Sequence, residues 1–354
     1  MSKFLSKRLS SLIPYTPGEQ PKNFDFIKLN TNESPFPPSP KAQAAAAEAA
    51  KRLELYPDPQ CKLLTESVAA SLGLSSDQVL MTNGSDEILY FSFLAFCDSS
   101  TPAVMADITY GFYKVYADLC GVEKTVIPLK EDFTIDVDAF CRAKGTIFIA
   151  NPNAPTGLFL SLEQIERILS SDPHRIVLID EAYVAFGGES AVKLIAKYDN
   201  LIVTRTFSKS HSMAGARLGF GAASKAVIGD LNTVKYSINP YNINSMTMSA
   251  GLGVMSDEEY TLANCNTVIE NREYASRELR NLGFTVTNSV TNFIFCAHPT
   301  IGGEEINSKL REKGILVRHF KQERITNYNR ITVGSLSQMK SLIKALEEII
   351  EEKK

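Results

Sequence analysis

The chain has 354 residues, of which 44% are hydrophobic and 22% are charged, and its formal net charge at pH 7 is -3. This length and composition predict a folded globular protein with one large and one smaller domain. Lysine and arginine are scattered among acidic residues rather than gathered in tracts, so we expect no nucleic acid partner.

The cysteines and histidines indicate neither a disulfide framework nor a metal site. The six cysteines are widely spaced without a Cys-x-x-Cys pair, and the four histidines do not cluster. The apolar residues of the opening stretch MSKFLSKRLSSLIPY are interrupted, and no later run has the length of a membrane span. We therefore expect reduced thiols, no metal, no membrane partner and a cytoplasmic location.

Residues 1–40 are predicted to form an extended N-terminal arm. They are rich in Pro, Asn and Ser, as in NTNESPFPPSP, and the prolines disfavour a regular helix. The following segment, KAQAAAAEAAKRLEL, predicts a helix from its alanine content, and YPDPQ ends it.

Short apolar runs then recur, each followed by a segment with helical periodicity. Runs that are apolar on both faces and alternate with helices are typical of a mostly parallel sheet with helices on both faces, whose ligands bind at the carboxyl ends of the strands. The runs are VLMT (79–82), PAVMA (102–106), TVIPL (125–129), TIFIA (146–150), RIVLID (175–180) and LIVT (201–204).

After about residue 260 the pattern changes. A long charged helix (NTVIENREYASRELRNLG) is followed by the strands FTVT and NFIFCA, the helix EEINSKLREKG, the strands ILVRHF and RITVGS, and a terminal helix. The sequence therefore predicts an arm (1–40), a large α/β domain (41–260) and a small C-terminal α+β domain (261–354).

Polar residues follow two of the predicted strands. NGSDE (83–87) begins a helix after VLMT, so the backbone amides of Gly84, Ser85 and Asp86 could bind an anion such as phosphate. Helix capping by Ser85 or Asp86 is the alternative. Tyr110 in DITYGFY could lie flat over a planar ligand or could pack in the core.

Two charged side chains lie near strand ends. Asp180 ends RIVLID, where its carboxylate needs a donor or a cation, supplied either by a ligand or by a structural ion pair. Lys209 follows LIVT, and burial or the nearby Arg217 would lower the pKa of its amine and make it nucleophilic, unless it is a solvated surface lysine. A phosphate site, a stacking tyrosine, an aspartate and an activatable lysine together fit pyridoxal 5'-phosphate.

Nine motifs, distributed along nearly the whole chain, carry a family resemblance. In order they are LNTNESPFPPSP, YPDPQ, TNGSDEIL, TYGFY, NPNAPTG, DEAY, TFSKSHSMAGARLGF, NPYNINS and NRITVGS. This set resembles the fold type I pyridoxal phosphate-dependent aminotransferases of class I and II, most closely the histidinol-phosphate aminotransferases. The resemblance implies the α/β transferase fold of that type and a homodimer with shared active sites.

The resemblance assigns one group of residues to the cofactor phosphate. Ser208, Arg217 and the amides of Ser85 and Asp86 would bind it within one subunit. Tyr56 of YPDPQ would reach the phosphate of the cofactor in the other subunit, which requires the homodimer.

A second group is assigned to the cofactor ring. Lys209 would form the Schiff base, and Asp180 would pair with the pyridine nitrogen and keep it protonated. Tyr183 would form a hydrogen bond with the ring oxygen, and Tyr110 would stack on the ring.

One position departs from the family pattern. The family usually has asparagine immediately before Pro-Thr-Gly, where it contacts the ring oxygen, whereas NPNAPTG has Ala154 there and Asn153 one place earlier. Either Asn153 makes the contact with the ring oxygen instead, or Tyr183 makes it alone. The second alternative arises because a shift of one residue changes where a side chain points.

The substrate residues are also implied by the resemblance. Arg330 in RITVG would bind the anionic group of the substrate, since a guanidinium suits carboxylate or phosphate, and Arg318 in ILVRHF is a second cation. Tyr15 of the arm, Tyr241 of NPYN from the neighbouring subunit and Asn292 of TNFIF would line the pocket, or they could simply pack.

The expected activity is transamination with alternating substrates. L-histidinol phosphate would be the amino donor and 2-oxoglutarate the acceptor, in histidine biosynthesis. The alternatives are an aromatic amino acid aminotransferase, a threonine-phosphate decarboxylase on the same fold, and a non-catalytic module that binds cofactor or nucleotide. The last is disfavoured because the chain lacks the Walker and G-x-G-x-x-G patterns.

Overall fold

The structure, a computed structural model, describes residues 2–21 and 26–353. The N-terminal arm contains a short strand, β1 (Ile27–Lys28), and leads into two helices, α1 (Pro40–Ala49) and α2 (Lys62–Leu72). Ser39 caps α1, and Pro40 occupies its first turn, where a missing N–H costs no hydrogen bond.

A seven-stranded sheet forms the centre of residues 79–223. Its strands are β2 (Val79–Thr82), β3 (Ala103–Ala106), β4 (Lys124–Ile127), β5 (Thr146–Ala150), β6 (Val177–Asp180), β7 (Leu201–Thr206) and β8 (Gly219–Ala223). Their order is β2-β8-β7-β6-β5-β3-β4, and only β8 runs antiparallel to its neighbours β2 and β7. The six strands predicted from the apolar runs are therefore all present.

Helices cover both faces of this sheet, as the alternation of its side chains requires. Ile147 and Ile149 of β5 belong to one buried apolar cluster, whereas Phe148 between them belongs to another. The helices of this part are α3 (Ser85–Phe96), α4 (Phe112–Cys120), α5 (Val137–Arg142), α6 (Leu162–Ser171), α7 (Lys225–Ile238) and α8 (Ser245–Met255).

The strand β8 is missing from the sequence prediction. Its residues, GFGAA, lack the β-branched side chains that mark strands. Their small size is required by packing: a Cβ on Gly219 would lie 2.4 Å from the Ser85 nitrogen, and one on Gly221 would lie 2.7 Å from Ile88 Cδ1. The strand is poor in side chains because α3 begins directly against it.

The C-terminal part contains a second, four-stranded antiparallel sheet. It follows the long helix α9 (Glu258–Asn281), which begins before the predicted NTVIENREY segment. The remaining elements are β9 (Thr285–Val286), β10 (Phe293–Ala297), α10 (Gly303–Glu312), β11 (Ile315–Leu316), β12 (Arg318–His319), β13 (Tyr328–Thr332) and α11 (Leu336–Glu351). The sheet order is β12-β13-β10-β9.

The predicted strand ILVRHF is divided between two partners. Its first half, β11, pairs in parallel with β1 of the arm, and its second half, β12, pairs with β13. Leu29 of the arm also belongs to the apolar cluster beneath the second sheet. The arm is thereby fixed to the C-terminal part of the chain.

Across the described residues, none of the helices combines the length and the apolar character needed to cross a membrane. Within the same ranges, no three His, Cys, Asp or Glu side chains are grouped so that they could hold a metal ion.

Candidate active site

A cavity of about 430 Å³ opens at the carboxyl ends of three neighbouring parallel strands. Ala150, Asp180 and Thr206, the last residues of β5, β6 and β7, all line it. This is the edge at which parallel sheets of α/β proteins bind ligands. We call it the first cavity.

Asp180 is buried in the first cavity with an exposed fraction of 5%. Tyr113 Oη donates to Asp180 Oδ2 at 3.0 Å, and the Ala182 backbone N–H donates to Oδ1 at 3.1 Å. Burial raises the pKa of the Asp180 carboxyl to about 7, although both hydrogen bonds act in the opposite direction. A cationic group placed beside Asp180 would therefore be bound strongly, because it would relieve the cost of the buried carboxylate.

Lys209 projects into the same cavity from the loop that follows β7. Its Nζ donates to the Thr31 carbonyl of the arm at 3.2 Å and lies 5.9 Å from the centre of the Tyr183 ring. Burial, reinforced by the positive charge of Arg330, lowers the pKa of the Lys209 amine to about 8. A substantial fraction of this amine is therefore unprotonated and nucleophilic near neutral pH.

The first turn of α3 forms an anion site at one end of the first cavity. Gly84 precedes the helix with φ +76°, and a Cβ there would lie 2.7 Å from Arg217 Nη2. Arg217 Nη1 also donates to Ser208 Oγ at 3.4 Å. Backbone N–H groups of the helix start, a hydroxyl and a guanidinium thus surround one point, a donor set typical of phosphate sites.

Asp86 holds two other residues at this end of the cavity. Its Oδ2 lies 3.2 Å from Arg217 Nη2, and its Oδ1 accepts a hydrogen bond of 2.9 Å from Tyr110 Oη. The Tyr110 ring stands at 88° to the ring of Tyr113. The Asp86 carboxylate thereby fixes both the guanidinium and the aromatic ring, a role that the sequence analysis did not assign to it.

A second cavity of about 410 Å³ adjoins the first, and Lys209, Tyr110 and Tyr183 line both. Besides Lys209, the cations Lys114, Arg318 and Arg330 line it. The Arg330 Nη2 donates to the Asn30 carbonyl at 3.1 Å, while its buried Nε has no protein partner in the described structure. The second cavity therefore offers a guanidinium to an anionic ligand beside Lys209.

The aromatic residue Tyr15 closes this second cavity from the arm. Its ring stacks on Phe112 with a centroid distance of 4.3 Å and lies 6.4 Å from the ring of Tyr110. The arm thus contributes to the wall of the cavity.

Five of the predicted residues do not line either cavity: Gly84, Asn153, Asn292, Tyr56 and Tyr241. Asn153 lines a neighbouring cavity, and its amide is engaged by Ile108, Thr109 and Thr156, whereas Ala154 lines the first and second cavities. Asn292 is buried behind the site and donates to the Asn32 carbonyl at 3.0 Å.

Tyr56 and Tyr241 lie outside both cavities of their own chain. Their rings stack with a centroid distance of 4.7 Å, and their exposed fractions are 83% and 42%. Two exposed, stacked aromatic rings are a common component of contact surfaces.

Sequence reasoning missed three residues that hold the site together: Tyr113, Thr31 and Asn32. Tyr113 lies in the same TYGFY motif as Tyr110, but nothing in a single sequence distinguishes its role from that of a core tyrosine. Thr31 and Asn32 lie in the LNTNESP motif, which contributes to the family resemblance but assigns no role to either residue. Their contacts arise only because β1 docks the arm beside β13.

The residues of the first cavity fit pyridoxal 5'-phosphate. The buried carboxylate of Asp180 requires a cationic partner, the amine of Lys209 is activated, and the glycines at 84 and 219 leave the helix start open to a phosphate-sized anion. A phosphorylated pyridine aldehyde satisfies these three features together.

The chain belongs to the aminotransferase class I and II family, whose profile matches residues 25–346. It is an enzyme that transfers amino groups, which confirms the interpretation of the sequence motifs and the exclusion of a non-catalytic module.

Curated relatives define the branch of this family. The chain is 46% identical over 351 residues to the histidinol-phosphate aminotransferase of Clostridium acetobutylicum, covering 99% of this chain and 100% of the relative. It is also 46% identical over 353 residues to the histidinol-phosphate aminotransferase of Brachyspira hyodysenteriae, with coverage of 99% and 100%. The predicted resemblance to this branch is confirmed.

A solved structure shares the fold over the whole chain. Histidinol-phosphate aminotransferase from Sinorhizobium meliloti, in complex with pyridoxal-5'-phosphate, superposes with a TM-score of 0.90 at 22% identity, covering 100% of this chain and 99% of the other. The predicted fold class is thereby confirmed.

Proposed function

We propose that this aminotransferase transfers the amino group of L-histidinol phosphate to 2-oxoglutarate in histidine biosynthesis, with pyridoxal 5'-phosphate as its cofactor. One observation carries the proposal: two separate anion sites, one at Arg217 and one at Arg330, open onto the single amine of Lys209. The first suits the phosphate of the cofactor, and the second suits the phosphate of the donor or a carboxylate of the acceptor. The names of the curated relatives support the same donor.

Residues of the first cavity would hold the cofactor at its phosphate and at its ring nitrogen. Ser208, Arg217 and the N–H groups of Ser85 and Asp86 would bind its phosphate. Asp180 would keep the proton on its ring nitrogen. When bound, the cofactor supplies an aldehyde carbon that combines with amines and a pyridinium ring that withdraws electrons from the carbon bearing the amino group.

Lys209 has two tasks in this scheme. Its unprotonated amine would hold the cofactor covalently at the aldehyde carbon, and Nζ, once freed by the donor amine, would take the proton from the donor carbon that bears the amino group. The pKa of about 8 allows the same nitrogen to gain and lose a proton near neutral pH.

Two residues orient the reactants around Lys209. Tyr110 would cover one face of the cofactor ring, since its own ring is held by the bond to Asp86. Tyr183 would donate its hydroxyl proton to the ring oxygen. Water is excluded on the outer side by Tyr15 of the arm.

The substrate anion would bind to Arg330, with Arg318 as a second cation at the cavity wall. Arg318 is held by Thr16 of the arm, to whose carbonyl its Nη2 donates at 3.4 Å. Arg330 is held by the Asn30 carbonyl. Both guanidinium groups are therefore oriented before a substrate arrives, which lowers the entropy cost of binding it.

We propose a cytoplasmic homodimer in which Tyr56 and Tyr241 complete the site of the other subunit. The exposure and mutual stacking of these two tyrosines support the proposal, because neither lines the first or the second cavity of its own chain.

Turnover measured as glutamate formation tests the proposed substrates. With 2-oxoglutarate as acceptor, we expect kcat/KM for histidinol phosphate to exceed that for phenylalanine or tyrosine by at least about 100-fold, since the donor phosphate adds charge-assisted bonds. Threonine phosphate should release no carbon dioxide. Faster turnover of an aromatic amino acid, or decarboxylation of threonine phosphate, would contradict the proposal.

The substitution Arg330→Lys tests the second anion site separately. The ammonium keeps the charge but loses the guanidinium fork, so KM for histidinol phosphate should rise about ten-fold or more. Arg277→Lys is the matched control, because Arg277 lies on an exposed helix face, where it contacts Glu278 and the Tyr274 ring. Equal effects of the two substitutions would remove Arg330 from the substrate site.

A further inference from the structure

Ala154 leaves the cavity without the asparagine that the family pattern would place there. Its methyl group lines both cavities, and the adjacent Asn153 has its amide committed elsewhere. Tyr183, the other residue that the family resemblance assigns to the ring oxygen, lines both cavities. The chain therefore depends on the direction in which the Tyr183 hydroxyl points its single proton.

Asn32 of the arm determines that direction. Its Nδ2 donates to Tyr183 Oη at 2.9 Å. An amide nitrogen carries only donor hydrogens, so the Tyr183 oxygen must accept at this contact. The phenolic proton is then directed away from Asn32, and burial raises the pKa of Tyr183, which keeps that proton in place.

The orientation of the Asn32 amide is itself fixed. Thr332 Oγ1 on β13 accepts from the Asn32 backbone N–H at 2.8 Å, and its hydroxyl donates to Asn32 Oδ1 at 3.2 Å. A reversed amide would take the acceptor Oδ1 away from the Thr332 hydroxyl proton and would place the amide oxygen against Tyr183. Asn292 holds the carbonyl of Asn32 in addition. The Asn32 side chain is buried, with an exposed fraction of 1%.

We propose that Asn32 is a positioning residue for the reaction: with Thr332 it forces Tyr183 to donate its proton to the ring oxygen of the bound cofactor, in compensation for Ala154. The inference rests on the proposed function, since it requires pyridoxal 5'-phosphate in the first cavity. Asn32 itself acts through Tyr183.

The absorbance of the bound cofactor gives a readout beyond activity. A hydrogen bond donated to the ring oxygen withdraws negative charge from the ring. It therefore lowers the pKa of the bound cofactor, which is read from the pH dependence of its visible absorbance. In Asn32→Ala the Tyr183 proton is no longer directed, so this pKa should rise by about 0.7 unit, the equivalent of one ordinary hydrogen bond. Asp180, Lys209 and Arg330, the charged groups near Tyr183, are unchanged in this variant.

Three further variants keep the test decisive. Thr332→Val removes only the hydroxyl that orients the amide and should shift the pKa in the same direction by a smaller amount. In the background of Tyr183→Phe, Asn32→Ala should have no further effect. Asn329→Ala is the control: Asn329 is equally buried on β13, but its amide donates to the Gly303 carbonyl outside the site. It should lower stability without changing the pKa.

Binding to the cofactor-free enzyme isolates the atom concerned. Asn32→Ala should weaken pyridoxal 5'-phosphate about three- to ten-fold but leave the affinity for 3-deoxypyridoxal 5'-phosphate, which lacks the ring oxygen, unchanged. Equal losses for both compounds, or a shift that persists without the Tyr183 hydroxyl, would overturn the inference. Failure of the wild-type enzyme to bind either compound would instead overturn the proposed function.

Discussion

At the residue scale, the site combines an acid that is difficult to ionise with an amine that is easy to deprotonate. Burial disfavours the charged form of both groups. It therefore raises the pKa of Asp180 and lowers that of Lys209. Both side chains are therefore unfavourably placed in the cofactor-free protein. A cofactor that pairs with Asp180 and reacts with Lys209 removes both costs, so the site is destabilised until it is filled.

The pH dependence of stability tests this account of Asp180. The pKa of Asp180 is about 7 in the folded protein against 3.8 for a free aspartate carboxyl, so the folded state binds more protons between these values. The stability of the cofactor-free protein should therefore fall as pH rises from about 4 to 7.

The side chain introduced in Asp180→Asn cannot ionise. Between about pH 4 and 7, the free energy of unfolding of the wild type should therefore fall by about 1–4 kcal/mol relative to that of the variant. Urea unfolding of both cofactor-free proteins at pH 5 and pH 7.5 measures the shift. A constant difference at both pH values would show that Asp180 is not destabilised by ionising.

Sequence reasoning could identify these two residues but not their neighbours. Asp180 and Lys209 follow strands whose apolar character is visible in the sequence, and their charges are conspicuous there. Tyr113 and Asn32 act through single hydrogen bonds across 67 and 151 residues of chain. No local pattern encodes such contacts, because they depend on how separate elements pack.

At the scale of elements, the anion site is produced by the close approach of β8 to the start of α3. The strand has little side-chain bulk, and its neighbour Arg217 adopts the left-handed conformation, with φ +54°. The parallel strands were predictable because a buried strand is apolar on both faces. The strand β8 was not predictable in this way. Its glycines and alanines leave space for the start of α3 and do not form a run of β-branched side chains.

Gly219→Ala tests this packing. The added Cβ would lie 2.4 Å from the Ser85 nitrogen and 2.5 Å from the Gly84 carbonyl carbon, both backbone atoms of the helix start. The start of α3 must shift, so the affinity for pyridoxal 5'-phosphate should fall about ten-fold or more and stability by about 1–3 kcal/mol.

Fluorescence titration of the cofactor-free enzyme measures the affinity. Gly229→Ala in α7 is the matched control, because nothing lies within 4 Å of its added Cβ, and it should stabilise the helix slightly. Unchanged cofactor affinity in Gly219→Ala would mean that the start of α3 is not the phosphate site.

At the scale of the whole molecule, the site lies where the arm and the C-terminal sheet meet the central sheet. One connection runs through Asn32 to Thr332 and Tyr183. Another is the ion pair between Arg324 and Asp107, in which Arg324 Nη1 lies 2.8 Å from Asp107 Oδ2. The domain boundaries at residues 40 and 260 remain a prediction, and the arm belongs structurally with the C-terminal part through β1 and β11.

Subunit complementation tests the proposed homodimer. Lys209→Ala and Tyr56→Ala should each have low activity alone, the first through lost chemistry and the second through weaker cofactor binding. In a mixed dimer, one site would combine the intact Lys209 of one subunit with the intact Tyr56 of the other. Mixing followed by subunit exchange should therefore restore activity, up to about one quarter of wild type for random pairing.

Sedimentation at several protein concentrations should show the dimer directly. If mixing restores no activity while the chains exchange, Tyr56 does not act across the subunits.

The central claim is that Lys209 and the two anion sites serve the amino group of histidinol phosphate. A single half-reaction tests it most directly: enzyme loaded with pyridoxal 5'-phosphate is mixed with histidinol phosphate in the absence of any oxo acid, and the absorbance of the bound cofactor is followed. The account predicts rapid conversion to the spectrum of pyridoxamine phosphate, slower conversion with phenylalanine or tyrosine, and a loss of about 1000-fold or more in Lys209→Ala. Conversion by aromatic amino acids alone, or undiminished conversion in Lys209→Ala, would contradict it.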